Sequence, residues 1–231
     1  MKIDPTLLLT GGVEILVLLL AISVHESAHA WTAERCGDPT ARMLGRVTLN
    51  PLKHLDPFGS IILPILLILA HAPVFGWAKP TPVLVRNLKR PRRDDILVSA
   101  AGPISNFLLA TVATVVLAVV VRSLGPAAQR AARLTLLNQF GAAAHYANFP
   151  LVFFLVELAF LNAFLGMFNL LPIPPLDGGQ IVLNLLPPDW AARYDRIRPF
   201  GFLIVIGLAV LNLLSFLLIP VYVILAFAIG F

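Results

Sequence analysis

The feature that most narrows the fold is the segment LLLTGGVEILVLLLAISVHESAHAWTA, residues 7 to 33, which holds two acids, Glu14 and Glu26, and no lysine or arginine. In hydrocarbon every backbone N–H and C=O must find its partner inside the segment, so such a run crosses a bilayer as a helix. A hydrocarbon core of roughly 30 Å takes about 20 residues at the helical rise. Three further runs reach that length: Ile96 to about Val121, Phe149 to about Leu171, and Phe200 to about Ile219. With 58% hydrophobic residues, 13% charged ones and a mean hydropathy of +0.88, the chain reads as a polytopic membrane protein. The leading MKIDPT is weakly charged and no small-residue cleavage site follows the first run, so that helix is expected to be retained rather than removed as a signal.

Two apolar pieces, FGSIILPILLILA (58–70) and VYVILAFAIGF (221–231), are too short to span comfortably. Arg35, Arg42, Arg46 and Lys53 precede the first, and Lys79, Arg86, Lys89, Arg90, Arg92 and Arg93 follow it. Positive charge collects on the cytoplasmic face, so this piece is expected to enter and leave the membrane on that side. APVFGWAKPTPVLV (72–85), with its prolines, glycine and alternating apolar residues, predicts an extended hairpin. Backbone of that kind is tolerated at membrane depth only against protein or a wet cavity. An outside N-terminus, with 34–95 and 172–198 inside and 122–148 outside, places 13 of the 17 Lys and Arg inside. The expectation is a multi-pass cell-membrane protein whose chemistry faces the cytoplasm. PAAQRAARLTLLNQFGAAAHYA (126–147) suits an interfacial amphipathic helix, and the tail after Pro220 suits a short re-entrant or capping helix or the second arm of a hairpin. The net charge of +5 is accounted for by orienting loops and argues against nucleic acid as a partner. The single Cys36 excludes an internal disulfide and a thiolate zinc cluster, leaving His, Asp and Glu as metal ligands.

His25 and His29 are four apart, which puts them on one helix face about 6 Å apart along the axis. Both imidazoles then reach one Zn²⁺ at roughly 2.0–2.1 Å. Glu26 lies beside them, where a carboxylate takes a proton from a metal-acidified water and passes it to a leaving amine. This is the HExxH pattern. Burial for packing alone is the weaker explanation, because polar groups inside a membrane helix are costly and normally functional. A catalytic zinc takes a third protein ligand and keeps one position open. The candidate is Asp177 in NLLPIPPLDGG (169–179), where Pro172, Pro174 and Pro175 must end the third long run and Gly178 and Gly179 permit close backbone packing. An N-cap on the following QIVLNLL helix is a compatible alternative role for this aspartate.

HESAH, NPLKH (Asn50 to His54), FGWAKP (Phe75 to Pro80), AGPISN (Ala101 to Asn106) and NLLPIPPLDGG, in that order, resemble the site-2 protease family, the M50 intramembrane zinc metalloproteases. The likeness runs from about residue 20 to 185 and rests on the pairing of HExxH with the NxxPxxxxDG motif inside apolar helices. It implies an all-α polytopic membrane protein: a three-helix catalytic core from the first three spans, a C-terminal helix or hairpin, and a re-entrant, membrane-embedded β-hairpin-like segment at FGWAKPTPV. It assigns His25, His29 and Asp177 to one Zn²⁺ and Glu26 to the general base, the same four that spacing selects. It further implies that Asn169 holds the substrate backbone or the developing oxyanion, for which amide donors are suited because they do not titrate. Asn106 carries the same reading beside that of an interhelical hydrogen-bonder, the role expected for Asn162. Gly102 and Pro103 are expected to serve helix packing or a kink, His54 to be a structural hydrogen-bonder, and His71 and His145 to be interfacial. Glu14 and Glu157 are expected to be protonated or bonded between helices.

The implied activity is endopeptidase cleavage in or beside a transmembrane segment of a membrane protein, near the cytoplasmic side. Without a PDZ-like insert or a C-terminal nucleotide-sensing (CBS) domain, recognition and regulation are expected to lie in the membrane region or in a regulatory membrane partner. A membrane metal-ion transporter and a catalytically silent membrane-binding homologue are the rival classes; the intact Glu26 argues against the second.

Overall fold

A computed structural model describes residues 5–70 and 76–231. His71 and Phe75, together with the first four residues of MKIDPT and the apex of the expected hairpin, lie outside the described residues. The first long run forms α1 (Pro5–Cys36). It ends where Gly37 takes φ +114°, a conformation that favours glycine. There the N–H of Asp38 donates to Ala33 O (2.9 Å) and that of Gly37 to Glu34 O (3.0 Å), the paired bonds of a Schellman stop. A short turn, α2 (Thr40–Met43), and a loop lead to Pro57–Ile62, wound as a π-helix, which runs on into α3 (Leu63–Leu69). Together these last two make one apolar helix too short to span a bilayer.

The second long run is α4 (Pro91–Leu124), followed by α5 (Pro126–Leu136) and a single turn, α6 (Phe140–Ala143). The third is α7 (Phe149–Asn169), which stops just short of Pro172. After the proline-rich break come α8 (Asp177–Leu185), α9 (Pro188–Asp195), α10 (Gly201–Val210) and α11 (Leu218–Ala228). Helix α4 sits at the centre of the bundle, between α1 and α7, with α8 against its first turns. One end of this bundle is closed by Val17, Leu117, Val121, Val152 and Val156, packed with Ala128, Ala131 and Ala132 of α5 and Leu225 of α11. Small residues let α5 approach closely, which supplies dispersion contacts that lipid tails would otherwise make.

Three expectations are corrected or narrowed. The run from Phe200 to Ile219 is not one helix: Asn212 takes φ +56°, and the helical stretches on either side meet at 81°. Asparagine is among the few residues whose short polar side chain tolerates that backbone, so it ends α10. Three helices are therefore long and apolar enough to cross a membrane, or four if the bent pair counts as one span. The expected single helix over 126–147 is likewise split, because Asn138 takes φ +56° between α5 and α6. Among the described residues the segment 76–84 is extended but forms no strand; one isolated antiparallel bridge, Leu55 to Ala78, is all the pairing it makes. Pro80 and Pro82 have no N–H to give to a ladder. Residues 71–75, where a hairpin would turn, are outside the described set.

Candidate active site

HESAH lies in the last third of α1, so His25 and His29 project from one face toward α4. Each imidazole is held from behind. His25 Nδ1 lies 2.6 Å from Asn106 Oδ1, and the Asn106 amide nitrogen donates to Asn162 Oδ1 (2.8 Å) and to Ala21 O (3.4 Å). Those donations fix the Asn106 oxygen as acceptor, so His25 carries its proton on Nδ1. His29 Nδ1 donates to the backbone carbonyl of Val98 at 2.7 Å, with the same result. The Nε2 lone pairs of both rings are therefore free and face each other at 3.0 Å.

Asp177 completes the group. The prolines end α7 near Asn169, the chain turns back, and Asp177 opens α8 with its carboxylate directed at the histidines. Its Oδ2 is 3.2 Å from His25 Nε2 and 3.5 Å from His29 Nε2. It is not an N-cap: α8 has no side-chain cap, and the buried Oδ2 has no hydrogen-bond donor. Three acceptor atoms with no proton among them repel one another unless a cation joins them. Their spacings match what a tetrahedral zinc demands, since ligands at roughly 2.0–2.1 Å stand about 3.3 Å apart. The donor set, two imidazoles and a carboxylate, also fits that ion. Gly102 on α4 makes room for it: a Cβ there would come within 2.6 Å of His25 Cε1 and His29 Cε1.

Glu26 stands beside this triad on a cavity of about 450 Å³ that it shares with His25, His29, Asp177 and Asn169. Its Oε2 accepts from the backbone N–H of Thr81 (2.8 Å), and the Thr81 hydroxyl donates to the Glu26 carbonyl (3.1 Å). The extended segment 76–84 thus forms one wall of the cavity and grips the acid. It is itself pinned along its length. Trp77 N–H donates to Gly59 O (3.3 Å), Lys79 N–H to His54 O (2.9 Å), and the buried Arg46 guanidinium donates to Lys53 O (2.5 Å) and Lys79 O (3.4 Å). At its far end Leu84 N–H donates to Asp38 Oδ2 (2.7 Å). Burial pushes the Asp38 carboxyl up, but the bonds from Thr40, Asn87 and Leu84 outweigh it and hold the group below its ordinary range.

The other sequence-selected residues separate by place. Asn169 lines the cavity with one amide hydrogen tied back to Leu165 O at 2.9 Å. Asn106 is fully buried behind the His25 ring and is not part of the cavity wall, so the substrate-contacting role considered for it is replaced by orientation of His25. Asn162 bonds between helices, as expected. His54 is buried, with Nε2 2.8 Å from Thr48 O and 3.4 Å from Ser27 Oγ, and is not a member of the ligand group. His145 is exposed, with Nδ1 donating to Gly141 O. Glu14 and Glu157 lie half-buried in α1 and α7. Thr81, Asp95 and the Val98 carbonyl escaped sequence reasoning. A backbone donor or acceptor carries no residue signature, and an acid near the start of a helix reads as ordinary dipole complementation.

A bundle with helices long and apolar enough to cross a membrane, burying two imidazoles and a carboxylate beside a glutamate, has the makings of a metallohydrolase of the HExxH kind. Comparison with known sequences agrees: the family model for peptidase family M50 matches residues 13–214, and the chain belongs to that family of metalloproteases. YwhC of Bacillus subtilis, which carries the name of a zinc metalloprotease, is 41% identical over 89% of this chain and 84% of its own. Rip2 of Mycolicibacterium smegmatis, similarly named, is 33% identical over 86% of this chain and 68% of its own, and Rip2 of Mycobacterium tuberculosis 31% identical over 86% and 69%. No solved structure gives a significant match.

Proposed function

We propose that this metalloprotease is an intramembrane zinc endopeptidase, cutting peptide bonds in or next to the transmembrane segments of membrane proteins. What carries the reading is the position of the triad: His25, His29 and Asp177 converge between helices long and apolar enough to cross a bilayer, on a cavity walled by extended backbone. One Zn²⁺ held by these three would supply Lewis acidity and bring the pKa of a water toward neutrality. Glu26, with Oε2 held by Thr81, has Oε1 left to take a proton from the attacking water and return it to the leaving amine. Asn169 keeps one amide hydrogen for the developing oxyanion. Asn106 and the Val98 carbonyl keep both imidazoles in the ligating tautomer.

Cleavage needs the substrate locally extended, since a helix hides its carbonyls. Segment 76–84 is suited to receive such a stretch. Its 77, 79 and 81 positions spend their N–H groups on the protein, which leaves the 78, 80 and 82 carbonyls for an incoming strand. The bias of Lys and Arg toward 34–95 and 172–198 supports a cytoplasmic-side site in a multi-pass cell-membrane protein, with a membrane protein substrate, the lipid bilayer and a regulatory membrane partner as the expected company. A metal transporter would need a polar path through both ends of the bundle. The end opposite the site is filled by Val17, Leu117, Val152 and their neighbours, which weighs against one. Co-expression with a panel of tagged single-span proteins, comparing wild type with Glu26→Gln, tests the reading. Fragments made only by wild type are expected; identical fragment patterns together with no bound zinc would end it.

A further inference from the structure

Asp95 is a buried carboxylate on the cavity wall that the proposed chemistry leaves unused. It is 5% exposed, lies in the first turns of α4, and precedes Val98, the residue holding His29, by three positions, or about 4.5 Å of helix rise. Its neighbour Asp94 serves the helix end, accepting from Arg90 N–H at 2.8 Å. Asp95 faces the other way and lines the same cavity as His25, Glu26, His29 and Asp177.

The surroundings of Asp95 are built, and the groups bonded to it are neutral amides. Gln180 Nε2 and Asn184 Nδ2, one turn apart on α8, both donate to its Oδ2 at 2.6 Å. Gln180 cannot flip away, because Arg198 Nη2 donates to its Oε1 at 3.0 Å, and Asn184 is steadied by a second bond to Gln180 O at 3.0 Å. Arg198 is itself paired with Asp195 at 2.7 Å. Among the described residues no Lys, Arg or His pairs with Asp95, and no hydrogen bond reaches its Oδ1. A buried carboxylate held only by two amides, with one oxygen open to a cavity, is short of a cation.

We propose that Asp95 forms a subsite for a basic side chain of the substrate, the Lys or Arg that flanks the end of a membrane segment. Such residues cluster where spans meet the cytoplasmic interface, the region where this cavity is proposed to open. The flexible stem of lysine or arginine reaches past an apolar wall to place its charge on a recessed acid. The protein's net charge of +5 repels cations overall, so preference for a basic flank has to come from a local acid.

This inference rests on the proteolytic reading but is tested by binding, which needs no cleavage. The probes are two fluorescent peptides with the same short apolar stretch, one flanked by lysine and one by glutamine. They are titrated into full-length, zinc-loaded Glu26→Gln protein in a neutral detergent and followed by anisotropy. The lysine peptide is expected to bind about tenfold more tightly, the worth of a desolvated charge-assisted hydrogen bond. Adding Asp95→Asn should close the gap, and Asp95→Glu should keep most of it, with zinc content and melting temperature reporting whether each variant is folded. Equal affinities on the Glu26→Gln parent would overturn the proposal whether or not the Asp95 variants fold, and so would a gap that Asp95→Asn leaves intact. Failure of the proteolytic reading shows elsewhere, as identical fragments from wild type and Glu26→Gln.

Discussion

The two ends of one bundle are held together differently. At the end away from the site, α1, α4, α5 and α7 meet through Val17, Ala113, Leu117, Val121, Ala131 and Val152, contacts that have no direction and tolerate small slips. At the site end α1, α4, α7 and α8 meet through directed bonds: His25 to Asn106, Asn106 to Asn162, His29 to Val98 O, and Gln180 and Asn184 to Asp95. Between membrane helices apolar packing supplies most of the adhesion, whereas ligand atoms need placement to within a fraction of an ångström. The chain thus assigns cohesion to one end and orientation to the other.

That division can be broken from either side. The largest effect is expected from Gly102→Val, whose side chain would enter the space of the two imidazoles. Bound zinc, measured by atomic emission on purified protein, should fall close to none while helical circular dichroism persists. A variant that kept its full zinc would show that the rings are not confined by α4. Leu117→Ala attacks the other end. Removing that fully buried side chain should lower stability by about 2–4 kcal/mol and leave zinc affinity unchanged, as read by melting and by chelator competition. Should zinc affinity drop in parallel with stability, the two ends are coupled and the division is wrong.

Asn106→Ala sharpens the comparison from within the polar end. His25 then loses the acceptor that sets its tautomer, and zinc should bind about 10–100-fold more weakly. A larger loss in melting temperature than Leu117→Ala gives would mark Asn106 as a cohesive rather than an orienting residue.

Asp38→Asn is the smallest change and tests the anchor of the extended wall. The folded carboxyl lies below its ordinary range, so its contribution is complete above the unfolded pKa of about 3.9 and is lost as pH falls through the folded value. Wild type should melt above the variant by the equivalent of about 1 kcal/mol from neutral pH down to about 5, and the difference should close below about pH 4. A difference that grew on acidification would reverse the sign and remove Asp38 as an ionised anchor.

Much of this site is legible in the sequence. His25, Glu26 and His29 lie within one turn of one helix, where spacing alone fixes who shares a face, and Pro172, Pro174 and Pro175 dictate a break that leaves Asp177 free to turn inward. The fourth apolar run does not form the single helix expected of it, because hydropathy counts Asn212 as one polar residue among many apolar ones, while the helical stretches on either side of it meet at 81°. The substrate role considered for Asn106 gave way for a different reason: an asparagine in a membrane helix signals a hydrogen bond but not its partner.

By itself the sequence determined the three long helices, which residues offer ligand atoms, and which chemistry those atoms suit, because period, apolar length and side-chain type are local properties. Only the tertiary structure decided the rest. It brought Asp177 within 3.2 Å of an imidazole 152 residues earlier in the chain, gave Glu26 to Thr81, moved Asn106 behind His25, and left Asp95 facing the cavity. These are pairings between distant segments, set by how whole helices pack and by backbone atoms that every residue shares, so no local pattern in the chain could announce them.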